Sequence, residues 1–221
     1  MQPDRGPVLA FDTAAAHCAA ALFWDGEIRI SRTETMAKGQ AERLMPLLEE
    51  VLAEGGAAWA DLTALGVGIG PGNFTGIRIS VAAARGLGLG LGVPVVGVSE
   101  LEALAFEAEG PALASLDARR GNAYLQGFGA EGAPLAPPIM APVDIAALPD
   151  TGPAPLCLGD FAEDLAARCG GTVAPPRHPL PEAIARIAAQ RARPDLPPPA
   201  PLYLRPADAA PAKPAPALLT P

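Results

Sequence analysis

The sequence predicts an α/β protein built as two lobes, the second of them reduced. Three observations predict it. Short apolar runs bounded by turn residues alternate with helical patterns over the first half, in the order β-β-β-α-β-α-β-α. A glycine-rich turn, Gly70-Pro71-Gly72-Asn73-Phe74-Thr75-Gly76, joins a strand directly to a helix within that half. From Pro111 onward the pattern loosens and prolines interrupt it. At 221 residues the chain can bury a real core, as one domain of two lobes or as two small domains.

Each element follows from local chemistry. Val8-Leu9-Ala10-Phe11-Asp12-Thr13 reads as a buried strand ending in a polar turn, and His17 to Trp24 as a second strand. Asp25-Gly26 is a hairpin signal that leads into a third strand, Glu27 to Thr33. A helix is predicted near Gly39 to Glu54, with Ala41, Leu44, Met45, Leu48, Val51 and Leu52 on one apolar face and Pro46 starting or kinking it. Next come a strand at Leu65 to Ile69, a helix at Thr75 to Leu91 and a strand at Pro94 to Val98. A third helix begins at Ser99, where Ser99 and Glu102 have capping-box spacing. Gly86, Gly88, Gly90 and Gly92 lower helix propensity and point to close approach of another backbone.

In the second half, Ala112 to Leu116 and Ala123 to Phe128 read as strands flanking a turn. Pro137, Pro138, Pro142 and Pro149 mark loops, with Val143 to Leu148 as one helical turn. A short strand at Leu156-Cys157-Leu158 and helices near Phe161 to Arg168 and Pro181 to Ala192 complete the smaller lobe. The expected organisation is a first lobe over 1–107, a degenerate second lobe over 108–206 and a Pro-rich tail over 207–221. No internal repeat is evident. The order of elements matches the first lobe of the actin-like ATPase, sugar-kinase and Hsp70 (ASKHA) fold.

Composition excludes several classes of function. The net charge is −8, and an acidic chain with no basic stripe should not grip RNA alone, because that affinity comes from Lys and Arg neutralising phosphates. Three scattered cysteines, Cys18, Cys157 and Cys169, with no C-x-x-C pair, suggest a reducing compartment without a disulfide framework. Met1 to Pro7 lacks a basic region followed by an apolar core, so it does not read as a secretory signal. Ile79 to Val98 is apolar but carries Arg85, Pro94 and several glycines, which argues for a buried helix and strand rather than a membrane span. A cytoplasmic protein with no membrane association is expected. His17 and His178 are the only histidines and lack metal-ligand spacing, and no Ser lies in G-x-S-x-G; a metal site, a peptidase and a hydrolase triad are all poorly supported.

Two places could still do chemistry. In the glycine turn, Gly70 and Gly72 permit positive φ, and Asn73 or Thr75 can cap the first helical turn, whose amides could hold an anion. The turn is neither a Walker loop nor a dinucleotide fingerprint, so a tightly packed capped turn and an anion site both remain open. Asp12-Thr13 ends the first strand, where ATPases and sugar kinases of this fold place an Asp beside phosphate and metal. The loop Asp12-Thr13-Ala14-Ala15 lacks the glycine that lets a backbone approach phosphate. Asp117 follows a strand in the second half, with Arg119 placed to pair with it. Asp12, Thr13, Asp117 and Arg119 are therefore candidates for a vestigial nucleotide site.

Taken as a string, Gly-x-Gly-Pro-Gly-Asn-Phe-Thr-Gly-Ile-Arg-Ile-Ser closely resembles the signature of the TsaB (YeaZ) family, G-x-G-P-G-S-F-T-G-x-R-x-G. Gly70, Gly72, Asn73, Phe74, Thr75, Gly76 and Arg78 are its signature-loop residues here. Asn73 replaces the usual Ser and Ser80 the usual Gly. Similarity continues at Gly92 to Ala105 and at Leu116 to Tyr124, and returns weakly at Leu202-Tyr203-Leu204-Arg205. The resemblance implies the ASKHA fold and a non-catalytic paralogue of TsaD, the subunit that carries metal and transfers threonylcarbamoyl to adenosine 37 of tRNAs reading ANN codons (t6A synthesis). It further implies no catalytic residue, metal or cofactor in this chain alone, with ATP and threonylcarbamoyl-AMP used by the complex. The implied partners are TsaD, the ATPase TsaE, tRNA through the complex, and a second copy as a homodimer. Carried onto this chain, the implied interface is Glu42, Leu44, Met45 and Leu48 on the first helix with Ile79 and Ala83 on the second. Many members have His-Ser-Glu where this chain has Gln40-Ala41-Glu42. The expected function is a scaffold or activator subunit; the alternative is an autonomous ATP-dependent small-molecule kinase of the same superfamily.

Overall fold

The structure is a computed structural model that describes residues 6–145 and 147–205. The Pro-rich tail expected over 207–221 lies outside the described residues. The first half forms β1 (Val8–Asp12), β2 (His17–Trp24), β3 (Glu27–Thr35), α1 (Gln40–Gly55), β4 (Ala64–Gly68), α2 (Phe74–Leu91), β5 (Val95–Val98) and α3 (Glu100–Ala105). Its sheet runs β3-β2-β1-β4-β5, with the hairpin strands antiparallel and β1, β4 and β5 parallel. Strand alternation sorts the side chains of β1 to two cores. Leu9 and Phe11 pack with Leu44, Leu47, Leu48, Val51 and Leu52 of α1 and with Ile77, Val81 and Ala84 of α2.

The second half forms β6 (Ala112–Arg119), β7 (Asn122–Phe128), β8 (Ile139–Pro142), β9 (Leu156–Gly159), α4 (Ala162–Cys169), β10 (Thr172–Val173) and α5 (Leu180–Arg191). Its sheet runs β10-β9-β6-β7-β8, which read from the other end is the order of the first sheet. Again the first three strands are antiparallel neighbours and the last two join in parallel. The fold therefore contains the internal repeat that sequence reading does not find. Among the described residues no helix is long and apolar enough to cross a membrane.

Several expectations need correction. The final helix does not complete the second lobe: Ile184, Ile187 and Ala188 of α5 pack on Val8, Ala10, Val96 and Val98 of the first sheet. Reciprocally, Leu101 and Ala105 of α3 pack on Ala112, Ala114, Tyr124 and Phe128 of the second. The two helices meet at an ion pair of 2.5 Å between Arg191 and Glu102. Glu102 is thus committed to α5, and Ser99 caps nothing with its side chain. Pro46 does not start α1, which begins at Gln40 and runs through it. The segment after Pro142 makes a turn, Ile145 N–H to Pro142 C=O at 3.0 Å, instead of a helical turn. Of Gly86, Gly88, Gly90 and Gly92, only Gly88 lies against another chain segment, at Val93 and Val95; Gly86 and Gly90 face open space, and Gly92 is the left-handed C-cap.

Candidate functional site

The C-terminal ends of β1 and β4 bring the loop Asp12–Ala14 against the start of α2. Two hydrogen bonds and two close backbone approaches seal it. Asn73 N–H donates to Ala14 C=O at 2.6 Å, and the Thr13 hydroxyl donates to Gly76 C=O at 2.7 Å. A Cβ on Gly72 would stand 2.5 Å from the Ala14 carbonyl oxygen, and one on Gly76 would overlap the Thr13 carbonyl oxygen. Glycine is required at both positions because two backbones touch there. Gly70, at φ +94°, supplies the turn; Gly72 does not need the left-handed freedom expected of it. Asn73, not Thr75, is the N-cap, its side-chain oxygen accepting from Thr75 N–H at 2.9 Å and Gly76 N–H at 3.1 Å. Those capped amides are taken by the chain itself.

Arg78 and Phe74 face outward from this turn. The Arg78 guanidinium stacks 3.7 Å from the Phe74 ring centroid and donates through Nε to the Tyr203 hydroxyl at 2.8 Å. Leu202 N–H donates to Ile69 C=O at 2.8 Å, so the stretch Leu202–Arg205 lies on the same loop. Sequence reading noted both stretches without seeing that they meet.

Asp12 is completely buried. Its Oδ1 accepts from Ala14 N–H at 2.9 Å and shares a hydrogen bond of 2.6 Å with His17 Nε2, a pairing the sequence did not suggest. Among the described residues its Oδ2 has no hydrogen-bond partner, and neither have Glu100 Oε1 and Ser99 Oγ. Burial, with Asp12 and Asp160 as like charges, holds the Glu100 carboxyl well above the ordinary 4.5. Sequence reading missed Glu100, because an acidic residue in the first turn of a helix ordinarily reads as a dipole partner. Asp117 is exposed, as is Arg119, and their link is not an ion pair: Arg119 N–H donates to Asp117 Oδ1 at 2.7 Å in the hairpin that follows. Asp117 N–H in turn donates to Asp160 Oδ2 at 2.7 Å. No hydrogen bond of the described residues joins Asp117 or Arg119 to Asp12.

On α1, the expected interface divides. Leu44 and Leu48 are 2% and 0% exposed and belong to the core, together with Leu47, which the helical pattern had left out in favour of Met45. They are not surface residues. Glu42 is exposed, Met45 is 37% exposed, and Ile79 and Ala83 are half-buried. Beside them Arg43 bonds Glu34 and Glu50, which holds both carboxyls below their usual range. Among the described residues no group of three or more His, Cys, Asp or Glu could hold a metal ion.

Comparison with known proteins now bears on this geometry. Residues 29–135 match the family described as TsaD, tRNA N6-adenosine threonylcarbamoyltransferase. An uncharacterized protein of Mycobacterium tuberculosis (strain ATCC 25618 / H37Rv) is 34% identical over 206 residues, which is 92% of this chain and 94% of that protein. The tRNA threonylcarbamoyladenosine biosynthesis protein TsaB of Escherichia coli (strain K12) is 38% identical over 122 residues, 53% of this chain and 52% of its own length. This chain belongs to the TsaB (YeaZ) family. The match to the E. coli TsaB spans about half of that protein. YeaZ from Pseudomonas aeruginosa superimposes with a TM-score of 0.67 at 26% identity, covering 90% of this chain and 99% of that one. The ethanolamine utilization protein EutJ from Carboxydothermus hydrogenoformans, at 15% identity and a TM-score of 0.51 over 81% of this chain and 89% of its own, shares the fold alone. The fold is of the ASKHA class.

In TsaB terms, both departures from the signature are accommodated. Asn73, where the family has Ser, caps α2 with its own side chain. Ser80 is buried where the family has Gly, its hydroxyl 3.2 Å from the Gly68 carbonyl. The residues do not fit a phosphate cradle of the kind the fold class uses, since the backbone of Thr13 and Ala14 is covered by α2.

Proposed function

We propose that this chain is a non-catalytic scaffold and activator subunit for threonylcarbamoyl addition to adenosine 37 of tRNAs reading ANN codons, acting by pairing with a TsaD-type catalytic subunit. Family membership supports the pathway, because the E. coli relative is named as a tRNA threonylcarbamoyladenosine biosynthesis protein. One observation carries the non-catalytic part: the loop after β1, where an ATP-using relative would need open backbone, is sealed by the signature turn. On this reading ATP and threonylcarbamoyl-AMP belong to the assembly and not to this chain alone. A TsaE-type ATPase joins it in the cytoplasm, and tRNA is reached through the complex, in keeping with a net charge of −8.

The surface that fits a TsaD-type partner, or a second copy, is the outer side of α1 and α2 around Glu42, Met45, Ile79 and Ala83. Co-purification with the TsaD-type protein of the same organism tests it. Met45→Asp is expected to weaken the complex at least about tenfold, or 1.4 kcal/mol, while melting is unchanged. No complex with the unaltered chain, or threonylcarbamoyl transfer by this chain without the partner, overturns the reading. The small-molecule kinase alternative is disfavoured by the same sealed loop, and micromolar ATP binding by the isolated chain in calorimetry would restore it.

A further inference from the structure

Cys157 on β9 and Cys169 at the end of α4 place their sulfurs 3.6 Å apart. Cys157 is wholly buried, while Cys169 is partly exposed. The neighbouring Gly171 makes room for them: a Cβ there would stand 3.0 Å from one sulfur and 3.1 Å from the other. Cys18, the third cysteine, is buried in the core of the first lobe beside Leu9 and Phe11. Two thiols held this close on rigid elements need only a small approach to reach bonding distance, about 2 Å. We propose that Cys157 and Cys169 are a modification site, a dithiol that a small disulfide such as oxidised glutathione converts reversibly to an intramolecular disulfide, fastening the end of α4 to the second sheet.

The step balances without any other reactant. The Cys169 sulfur, the accessible one, attacks one sulfur of oxidised glutathione, whose S–S bond breaks and releases one reduced glutathione. The Cys157 sulfur then attacks Cys169 Sγ, its proton leaving with the second glutathione, so that two thiols are oxidised as one disulfide is reduced. Burial and the adjacent Cys169 push the Cys157 thiol up to about 12, which disfavours its thiolate and leaves the first attack to the accessible Cys169.

The test uses the full chain, incubated folded with oxidised glutathione, then quenched in acid, unfolded and alkylated for peptide mapping. The expected product is lighter by two hydrogen atoms, carries alkylation at Cys18 only, and yields a Cys157–Cys169 linked peptide; reduced glutathione applied to the folded protein restores both thiols. A lasting glutathione adduct on Cys169 with Cys157 still alkylated overturns the proposal. So does a link through Cys18 or between two chains, or a bond that reduced glutathione leaves intact. Cys169→Ser is expected to abolish the link and leave Cys157 alkylated without an adduct, and an adduct on Cys157 in that variant would also overturn the assigned order of attack.

Discussion

The two lobes share one strand plan and are covered differently. In the first, the outer face of the sheet lies under α1 and the eighteen-residue α2. In the second, no helix stands between β8 and β9 among the described residues; Val143, Ile145 and Leu148 of that connection cover Leu113, Ala123 and Leu125 beside the eight-residue α4. The Arg168 guanidinium pins this loop by donating to the carbonyls of Val143 and Ile145. Both lobes pack backbone tightly where a strand leads into a helix, but on different partners: α2 closes on Thr13 and Ala14 of the loop after β1, whereas Gly159, just before α4, lies against the Ser115 carbonyl of β6. The comparison teaches that the repeat survives as topology once its helices and turn chemistry have diverged, and that the family signature marks a seal between β1 and α2.

The hardest test of that seal is Gly76→Ala, which forces a methyl group into the Thr13 carbonyl; a loss of about 3 kcal/mol or more is expected in urea unfolding. Gly86→Ala, on the open side of the same helix, should instead gain about 0.5–1 kcal/mol. Equal tolerance at both sites would break the comparison. Next is Glu100, whose folded carboxyl keeps a proton that the unfolded chain releases above the ordinary 4.5. Its contribution is complete below that value and is lost as pH rises toward the folded one, by up to about 1.4 kcal/mol per pH unit. Thermal melts from pH 5 to 8 should therefore fall more steeply for the native chain than for Glu100→Gln. Asn73→Ala should cost about 1 kcal/mol through the lost cap, and Asn73→Ser only a few tenths. Smallest in global stability is Arg168→Ala, under about 1 kcal/mol because the side chain is exposed, but hydrogen exchange should quicken around Val143 and Ile145 while α1 is unchanged.

The first lobe is legible because its signals are strong and agree with one another. β1, β2 and β5 are short runs made mainly of apolar residues, Asp25-Gly26 marks the hairpin, and α1 has a clear stripe. The stripe's edge is less certain: Leu47 and Met45 both fit the spacing, and contact with the sheet selects Leu47. The second lobe hides β8 because Pro142 ends it on a sheet edge, where a missing donor costs nothing, and β10 because two residues carry no periodicity. At the candidate site, Asp12 and the glycines are visible as residue types. Their being spent on one another, and the meeting of Arg78 with Tyr203 across the chain, depend on tertiary approach that no local pattern encodes.

Because α3 leaves the first sheet to rest on the second, and α5 returns from the second to rest on the first, each half lends the other a wall of its core. Cutting the chain near residue 107 would strip Ile184 and Ile187 from one fragment and Leu101 from the other. Neither piece should hold its shape by itself, yet the two mixed together should find each other and refold as a pair.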